Sequence, residues 1–340
     1  MAAYGLTTQI ASNKLRSRVL LGCLFLLIYI FVFAGALLAE AYSRGGQPTG
    51  YYLRAAWVDL LHALPAATMA GGLWLLIAYR FNQSIIDAVT GGQDVSRKEQ
   101  PRLYNLLENL CISRGITMPA LKIIDTNALN AYASGLNPKQ YSVTVTSGLL
   151  AALTDEEMEA VLGHELTHIR NGDVRLMVIA GIIAGVIGFF AELFFRLFFR
   201  TGLGGRRSSS RSEGNGKGAG VVIVIAIALI ALAWLMSVLI RLALSRSREF
   251  LADAGSVELT KNPDALIRAL RKIDNRGELE GATSAVMEMC IDNPREGFSN
   301  LFNTHPSVDA RVKALVMLGG HDPGPAPAQA DAPLKLDIEP

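Results

Sequence analysis

Apolar residues in this chain gather into four long runs, with polar positions returning between them. Residues 19–39 carry no charge and, at about 21 residues, match the hydrocarbon core of a bilayer. Residues 60–79 form a second run of about 20, with His62 and Pro65 near one end. Residues 221–240 form a comparable run. Residues 175–199 are weaker, because 176–191 are clean but Glu192 and Arg196 interrupt the far half. The first run is too long for a signal peptide and lacks a small-residue cleavage site, so it reads as a retained anchor.

The polar stretches read as mixed α/β. Leu103, Leu106, Leu107 and Leu110 fall at helical spacing. Residues 120–124 and 141–146 look like strands, with Val143 and Val145 alternating with polar neighbours. Thr154 followed by Glu157 is a capping-box signature, and Gly172 is placed to end the helix so begun. Residues 245–259 are helical in pattern. Asn262-Pro263 opens another helix to about Ile273, and residues 307–318 give one more. From Gly319 the Pro/Ala/Asp-rich tail is expected to be disordered. The pattern predicts an α+β membrane protein: a mostly helical polar body with a small β-sheet, plus about four transmembrane helices.

Composition agrees. Only 18% of residues are charged, where a soluble chain carries about a quarter. A net charge of +2 gives no reason to expect a nucleic-acid partner; the partner implied is the lipid bilayer. Lys14, Arg16 and Arg18 precede the first run and place the N-terminus in the cytoplasm, and the chain returns there after Arg80. The second pair of runs strains this rule. Four spans would put the loop 200–217 outside, although it bears Arg200, Arg206, Arg207, Arg211 and Lys217 against Glu213. Four spans are the preferred reading, with a shallow hairpin as the alternative. Cys23, Cys111 and Cys290 have no metal-site spacing.

Chemistry enters with His164-Glu165-Leu166-Thr167-His168 on the helix that Thr154 caps. Residues four apart share a helical face, so both imidazoles can reach one ion, while Glu165 is rotated to stand beside the water that the ion polarises. Two histidines leave zinc one protein ligand short of a catalytic set. Glu249 is the best candidate for the third. Asp253, one turn on, can accept a ring N–H from a liganding histidine. By spacing alone this second pair is indistinguishable from a solvated acidic helix edge.

The stretches HELTHIRNGD (164–173), SRSREFLADAG (245–255), NAYA (130–133) and THPSVDAR (304–311) resemble the HtpX-like membrane metallopeptidases, relatives of the CAAX prenyl endopeptidases. The resemblance implies a zincin-type catalytic domain holding one Zn2+ on His164, His168 and Glu249, with Glu165 as general base. It also implies that Asn130, Ala131, Tyr132 and Ala133 form an edge strand that binds extended peptide, and that His305 and Arg311 lie at the cleft, where either could donate to a developing oxyanion.

The implied protein is a membrane zinc endopeptidase of the bacterial inner membrane. Its catalytic domain faces the cytoplasm, its substrates are polypeptides, and its task is quality control of misfolded membrane proteins. The expected organisation is 1–79 with two spans, 80–173 as the first catalytic part, 174–244 as a membrane hairpin with a flexible basic loop, 245–318 as the second catalytic part, and 319–340 as a tail. A CAAX-type prenyl-protein endopeptidase and a non-cleaving zinc-binding membrane adaptor are the alternatives. An intramembrane protease is disfavoured, because Asp155, Glu156, Glu157, Glu159, Arg170 and Asp173 surround the histidines.

Overall fold

The computed structural model describes residues 2–44, 46–179, 181–182, 217–243, 246–294 and 305–324. Most of the third apolar run, nearly all of the basic loop and the tail from 325 lie outside them.

Two 42-residue helices open the chain, α1 (Ala2–Ser43) and α2 (Thr49–Thr90). Where they meet, Tyr52 of α2 accepts the Gln47 N–H at 3.1 Å and donates to the Arg44 carbonyl at 2.7 Å. A third apolar helix, α6 (Lys217–Ala243), packs on α1. Small side chains set that contact: Ala34 and Ala41 on α1, Ala56 on α2 and Ala226 on α6 are buried together. Gly218 lies so close to the Gln47 carbonyl that any side chain would collide with it.

Among the described residues two helices are long and apolar enough to cross a membrane, Arg18–Ser43 and Thr49–Thr90; the Gly218–Leu232 stretch of α6 is shorter. Where the apolar run ends at position 79, α2 does not end. It spans about 63 Å at 1.5 Å per residue, roughly twice a hydrocarbon core, and its last turns become part of the polar body.

That body is built on a four-stranded sheet of order β1-β2-β4-β3, with β1 (Gln93–Asp94), β2 (Ala120–Ile124), β3 (Ala131–Ser134) and β4 (Ser142–Thr146). The central pair β2/β4 is parallel, and the flanking pairs are antiparallel. On one face Val143 and Val145 meet Leu103 and Leu107 of α3 (Pro101–Arg114), Met158 and Leu162 of α5 (Asp155–Asn171), and Leu266 and Leu270 of the later helix α8 (Pro263–Ile273).

The alternation in β4 predicts a wet second face, yet all five β4 residues are buried. The end of α2 covers that face: Ile86 packs with Ile124 and Tyr132, and Ser134 donates to Gln83 at 2.8 Å. The polar alternates are satisfied internally, as in the Ser134–Ser142 hydroxyl pair at 2.8 Å. Lys122, buried, pins α2 to the sheet through Asp87 at 3.0 Å and meets Asp94 of the neighbouring β1 at 2.8 Å.

A six-residue helix, α4 (Ser147–Ala152), leads into α5. The expected capping box is present: Thr154 accepts the Glu157 N–H while Glu157 accepts that of Thr154. Gly172 closes α5 at φ 74°, a left-handed conformation that glycine adopts without penalty. Helix α7 (Arg246–Thr260) lies against α5, and the short α9 (Ser284–Met287) and α10 (Val308–Met317) complete the body.

Candidate metal centre and active site

Helical periodicity puts His164 and His168 on one face of α5, and that face is turned inward: they are 1% and 4% exposed. Their Nε2 atoms stand 3.1 Å apart. From α7, Glu249 brings its carboxylate to 3.5 Å from His164 Nε2 and 3.6 Å from His168 Nε2. Donors of a tetrahedral zinc at about 2.0–2.1 Å lie roughly 3.3–3.4 Å from one another, so this triad matches the spacing that such an ion requires. Glu249 Oε2 is buried and makes no well-formed hydrogen bond among the described residues: Arg311 Nη1 and His305 Nδ1 stand off at 3.6 Å, and a cation between it and the two Nε2 atoms would satisfy it directly. The residues therefore fit a metal.

The convergence depends on how closely α5 and α7 approach. A side chain at Gly255 would run into Thr167, and Gly163 faces Ser256, whose hydroxyl donates to the Ala160 carbonyl at 2.6 Å. Ala252, fully buried, keeps the same face small.

Each histidine is held from behind by a carboxylate. His164 Nδ1 lies 2.9 Å from Asp253 Oδ1, and His168 Nδ1 lies 3.1 Å from Asp173 Oδ2. Such partners fix the ring tautomer, so that Nε2 presents its lone pair to the metal. The Asp253 contact was legible in the sequence; the Asp173 contact was not. Past Gly172 the backbone is helical again over residues 173–179, and an acidic residue opening a helix is ordinary, so no signal in the sequence pointed to this bond.

Arg311 of α10 completes the arrangement. Its guanidinium grips Asp253 with two bonds, at 2.9 and 2.6 Å, and donates to the Ile291 carbonyl at 3.1 Å. It is 1% exposed, and its Nη1 also lies 3.6 Å from Glu249 Oε2. His305 differs. It is only partly buried, with Nδ1 3.6 Å from Glu249 Oε2 and Nε2 3.2 Å from the Glu288 carbonyl.

Electrostatics follow this geometry. Burial raises the pKa of Asp253, but Arg311 and His164 outweigh it and hold the carboxyl below its usual value. Burial likewise works against the Glu249 carboxylate, yet His305, His168 and His164 keep it well below the usual range. For the metal-free His164 burial lowers the pKa, but Asp253 and Glu249 win and raise it to about 9. Glu165 goes the other way: burial raises it, against the opposing pull of the two histidines and the Ala133 backbone N–H. Its Oε2 is buried without a partner among the described residues.

The NAYA segment is placed beside the centre, but it is not an open edge. All four β3 residues are buried. The bond from Thr146 N–H to the Asn130 carbonyl, at 3.0 Å, sets the ladder's phase, so Ala131 and Ala133 point their backbone groups away from β4. The Ala131 carbonyl is already taken by Ile291 N–H at 3.0 Å, and Tyr132 bridges to Cys290. Ala133 faces Glu165. Asn130 is wholly internal: its Nδ2 bonds the Gly277 and Asp292 carbonyls at 2.6 and 2.8 Å, which clamps two later loops to the strand.

Residues 97–318 match the model of Peptidase family M48, a span that contains both halves of the metal centre and everything between them. The chain belongs to peptidase family M48. Among curated relatives of this M48 peptidase, the "Protease HtpX homolog" of Bacteroides fragilis is 38% identical over 327 residues, covering 93% of this chain and 99% of that protein. The namesake from Lactobacillus helveticus is 36% identical over 310 residues, and that from Streptococcus pneumoniae 38% over 318; each covers 90% of this chain and 98% of its own. Among solved structures, that of Ste24p from S. mikatae covers 93% of this chain and 67% of that one, at 18% identity and a TM-score of 0.46. This M48 peptidase is a membrane metalloendopeptidase.

Proposed function

We propose that the chain is a zinc endopeptidase in which His164, His168 and Glu249 hold the metal and Glu165 is the general base. The convergence of one carboxylate and two Nε2 atoms at 3.1–3.6 Å, deep in the protein, carries this reading. Zinc bound there supplies Lewis-acid polarisation of the scissile carbonyl and lowers the pKa of water toward 7. Glu165, its pKa raised by burial, takes the proton from the attacking water on Oε2 and passes it to the leaving amine. Asp253 and Asp173 hold the rings, and Arg311 holds Asp253. His305, at the exposed side of Glu249, is the group assigned to the carbonyl oxygen. An extended substrate donates to the Ala133 carbonyl of β3, because the Ala131 carbonyl is already paired and the Ala133 N–H is turned to Glu165.

The finer assignments follow from sequence patterning. Lys14, Arg16, Arg18 and Arg80 support a cytoplasmic catalytic body, the resemblance to the HtpX-like peptidases supports a bacterial inner membrane, and four spans follow where the third and fourth apolar runs both cross. Polypeptides delivered from that membrane, misfolded ones in quality control, are the assigned substrates; the HtpX name of the relatives fits such a role. The test is Glu165→Gln in detergent-solubilised protein. It should bind one zinc per chain as the parent does and lose about 10²–10⁴-fold in kcat on an unfolded protein substrate. Unchanged turnover would remove Glu165 from the mechanism.

A further inference from the structure

Where the apolar runs of α1 and α2 stop, charge returns on both helices at the same end of the hairpin. Residues 19–39 end one position before Glu40, and residues 60–79 begin one position after Asp59. Between these two carboxylates the chain carries Arg44 and Arg54, and all four side chains line one open cavity of about 650 Å³. It lies at the end of the hairpin away from the sheet, because the last turns of α2 join the polar body. An apolar groove of about 510 Å³, lined by Leu53 and Trp57, adjoins it, and Arg54 and Val58 belong to both.

The charges are not equally engaged. Arg44 is held on the protein side by Glu40 at 3.6 Å and by the Tyr51 hydroxyl, with 61% of its side chain still exposed. The exposed Arg54 side chain has no ion pair or hydrogen bond among the described residues. Asp59 is exposed as well, and it acts on Arg44 only through space. Snorkelling accounts for cations at a bilayer boundary. It does not account for a carboxylate set beside them, one residue from the apolar run. Trp57, exposed and edge-on to Phe33 of α1, marks the same level as that of the lipid headgroups.

A polar space and an apolar one that share an arginine fit an amphipathic molecule, and the side chains specify its chemistry. Acyl chains match Leu53, Trp57 and Val58. A phosphodiester accepts charge-assisted bonds from Arg54 and Arg44. Asp59 then asks for a cationic donor on the same molecule. A primary ammonium two carbons from the phosphate supplies it. A choline head has no N–H to give, and a glycerol head brings no positive charge to the carboxylate.

We propose that cavity and groove together bind one phospholipid with an ethanolamine headgroup, its phosphate on Arg54 and Arg44, its ammonium on Asp59 and an acyl chain along Trp57. The site is separate from the metal centre and does not rest on the peptidase reading; it needs only that the α1–α2 hairpin lies in a bilayer.

The experiment uses the full-length protein, delipidated in detergent, and three phospholipids of identical acyl chains with ethanolamine, glycerol or choline heads. Bound lipid is counted by native mass spectrometry across a titration. The parent should bind the ethanolamine lipid about tenfold tighter than the other two, a difference of about 1.4 kcal/mol. Asp59→Asn should bring the ethanolamine lipid level with the choline lipid, and Arg54→Gln should weaken all three about tenfold. Arg80→Gln, at the other end of the apolar run of α2, should bind as the parent does.

Equal binding of the three lipids by the parent, or a preference that survives in Asp59→Asn, overturns the site. A preference for the glycerol lipid does the same, since the arginines would then be collecting anionic lipid without Asp59. Equally tight binding of glycerophosphoethanolamine, which has the head and no acyl chains, would overturn the lipid as occupant.

Discussion

At the scale of single residues the centre is a set of buried charges, each justified by the next. Arg311 neutralises Asp253, Asp253 holds His164, and His164 with His168 faces Glu249. Arg311→Met should leave Asp253 buried beside two other carboxylates and cost about 3–5 kcal/mol of stability, read from denaturant unfolding. A variant as stable as the parent would show that the guanidinium is not the compensating charge. Asp173→Asn should weaken metal affinity about 10–100-fold in a chelator competition and regain turnover at saturating zinc. Unchanged affinity would reduce Asp173 to a turn residue. The sequence showed the two histidines and Asp253, because spacing along one helix decides what shares a face. It did not show the bond from Asp173 to His168, because Gly172 ends α5 and the period of α5 does not fix the direction of the helical stretch over residues 173–179.

At the scale of elements, two helices must approach closely enough for three ligands to meet. Gly255 and Gly163 permit that approach, and the packing of α5 on α7 is as necessary to the centre as the ligands are. Gly255→Val should force the helices apart, costing about 1–3 kcal/mol or more from overpacking, and should lower zinc stoichiometry with every ligand intact. Full metal content in that variant would show that the helices can part without opening the site. The capping box works at the other end of α5, far from the metal. Thr154→Ala should cost about 1 kcal/mol in thermal unfolding and leave turnover per folded molecule unchanged. Caps and helix ends could be read locally, because each depends on residues within one turn. The second face of β4 could not, since what covers it is the end of α2, some fifty residues earlier in the chain.

At the scale of the whole molecule, the metal is a link between distant parts of the chain, so it should act as a stabilising ligand. Chelation should lower the unfolding temperature, with zinc at about a thousand times its Kd worth about 4 kcal/mol; Glu165→Gln should show the same drop and His164→Ala none. A chelator effect that persists in His164→Ala would place the stabilising ion elsewhere.

What the sequence determined by itself was local and periodic: the apolar runs, the helix that pairs His164 with His168, its caps, and the position of the two central strands. Those features depend on neighbours a few residues away, where hydrophobic spacing and backbone chemistry decide alone. Only the tertiary structure decided that Glu249 meets those histidines rather than solvent, and that Arg311 meets Asp253. It also decided that the edge strand is half paired already, and that α2 runs on past its apolar stretch to cover the sheet. Each of these is a contact between segments far apart in the chain, set by how closely packed surfaces fit, and no spacing rule along one segment carries that information.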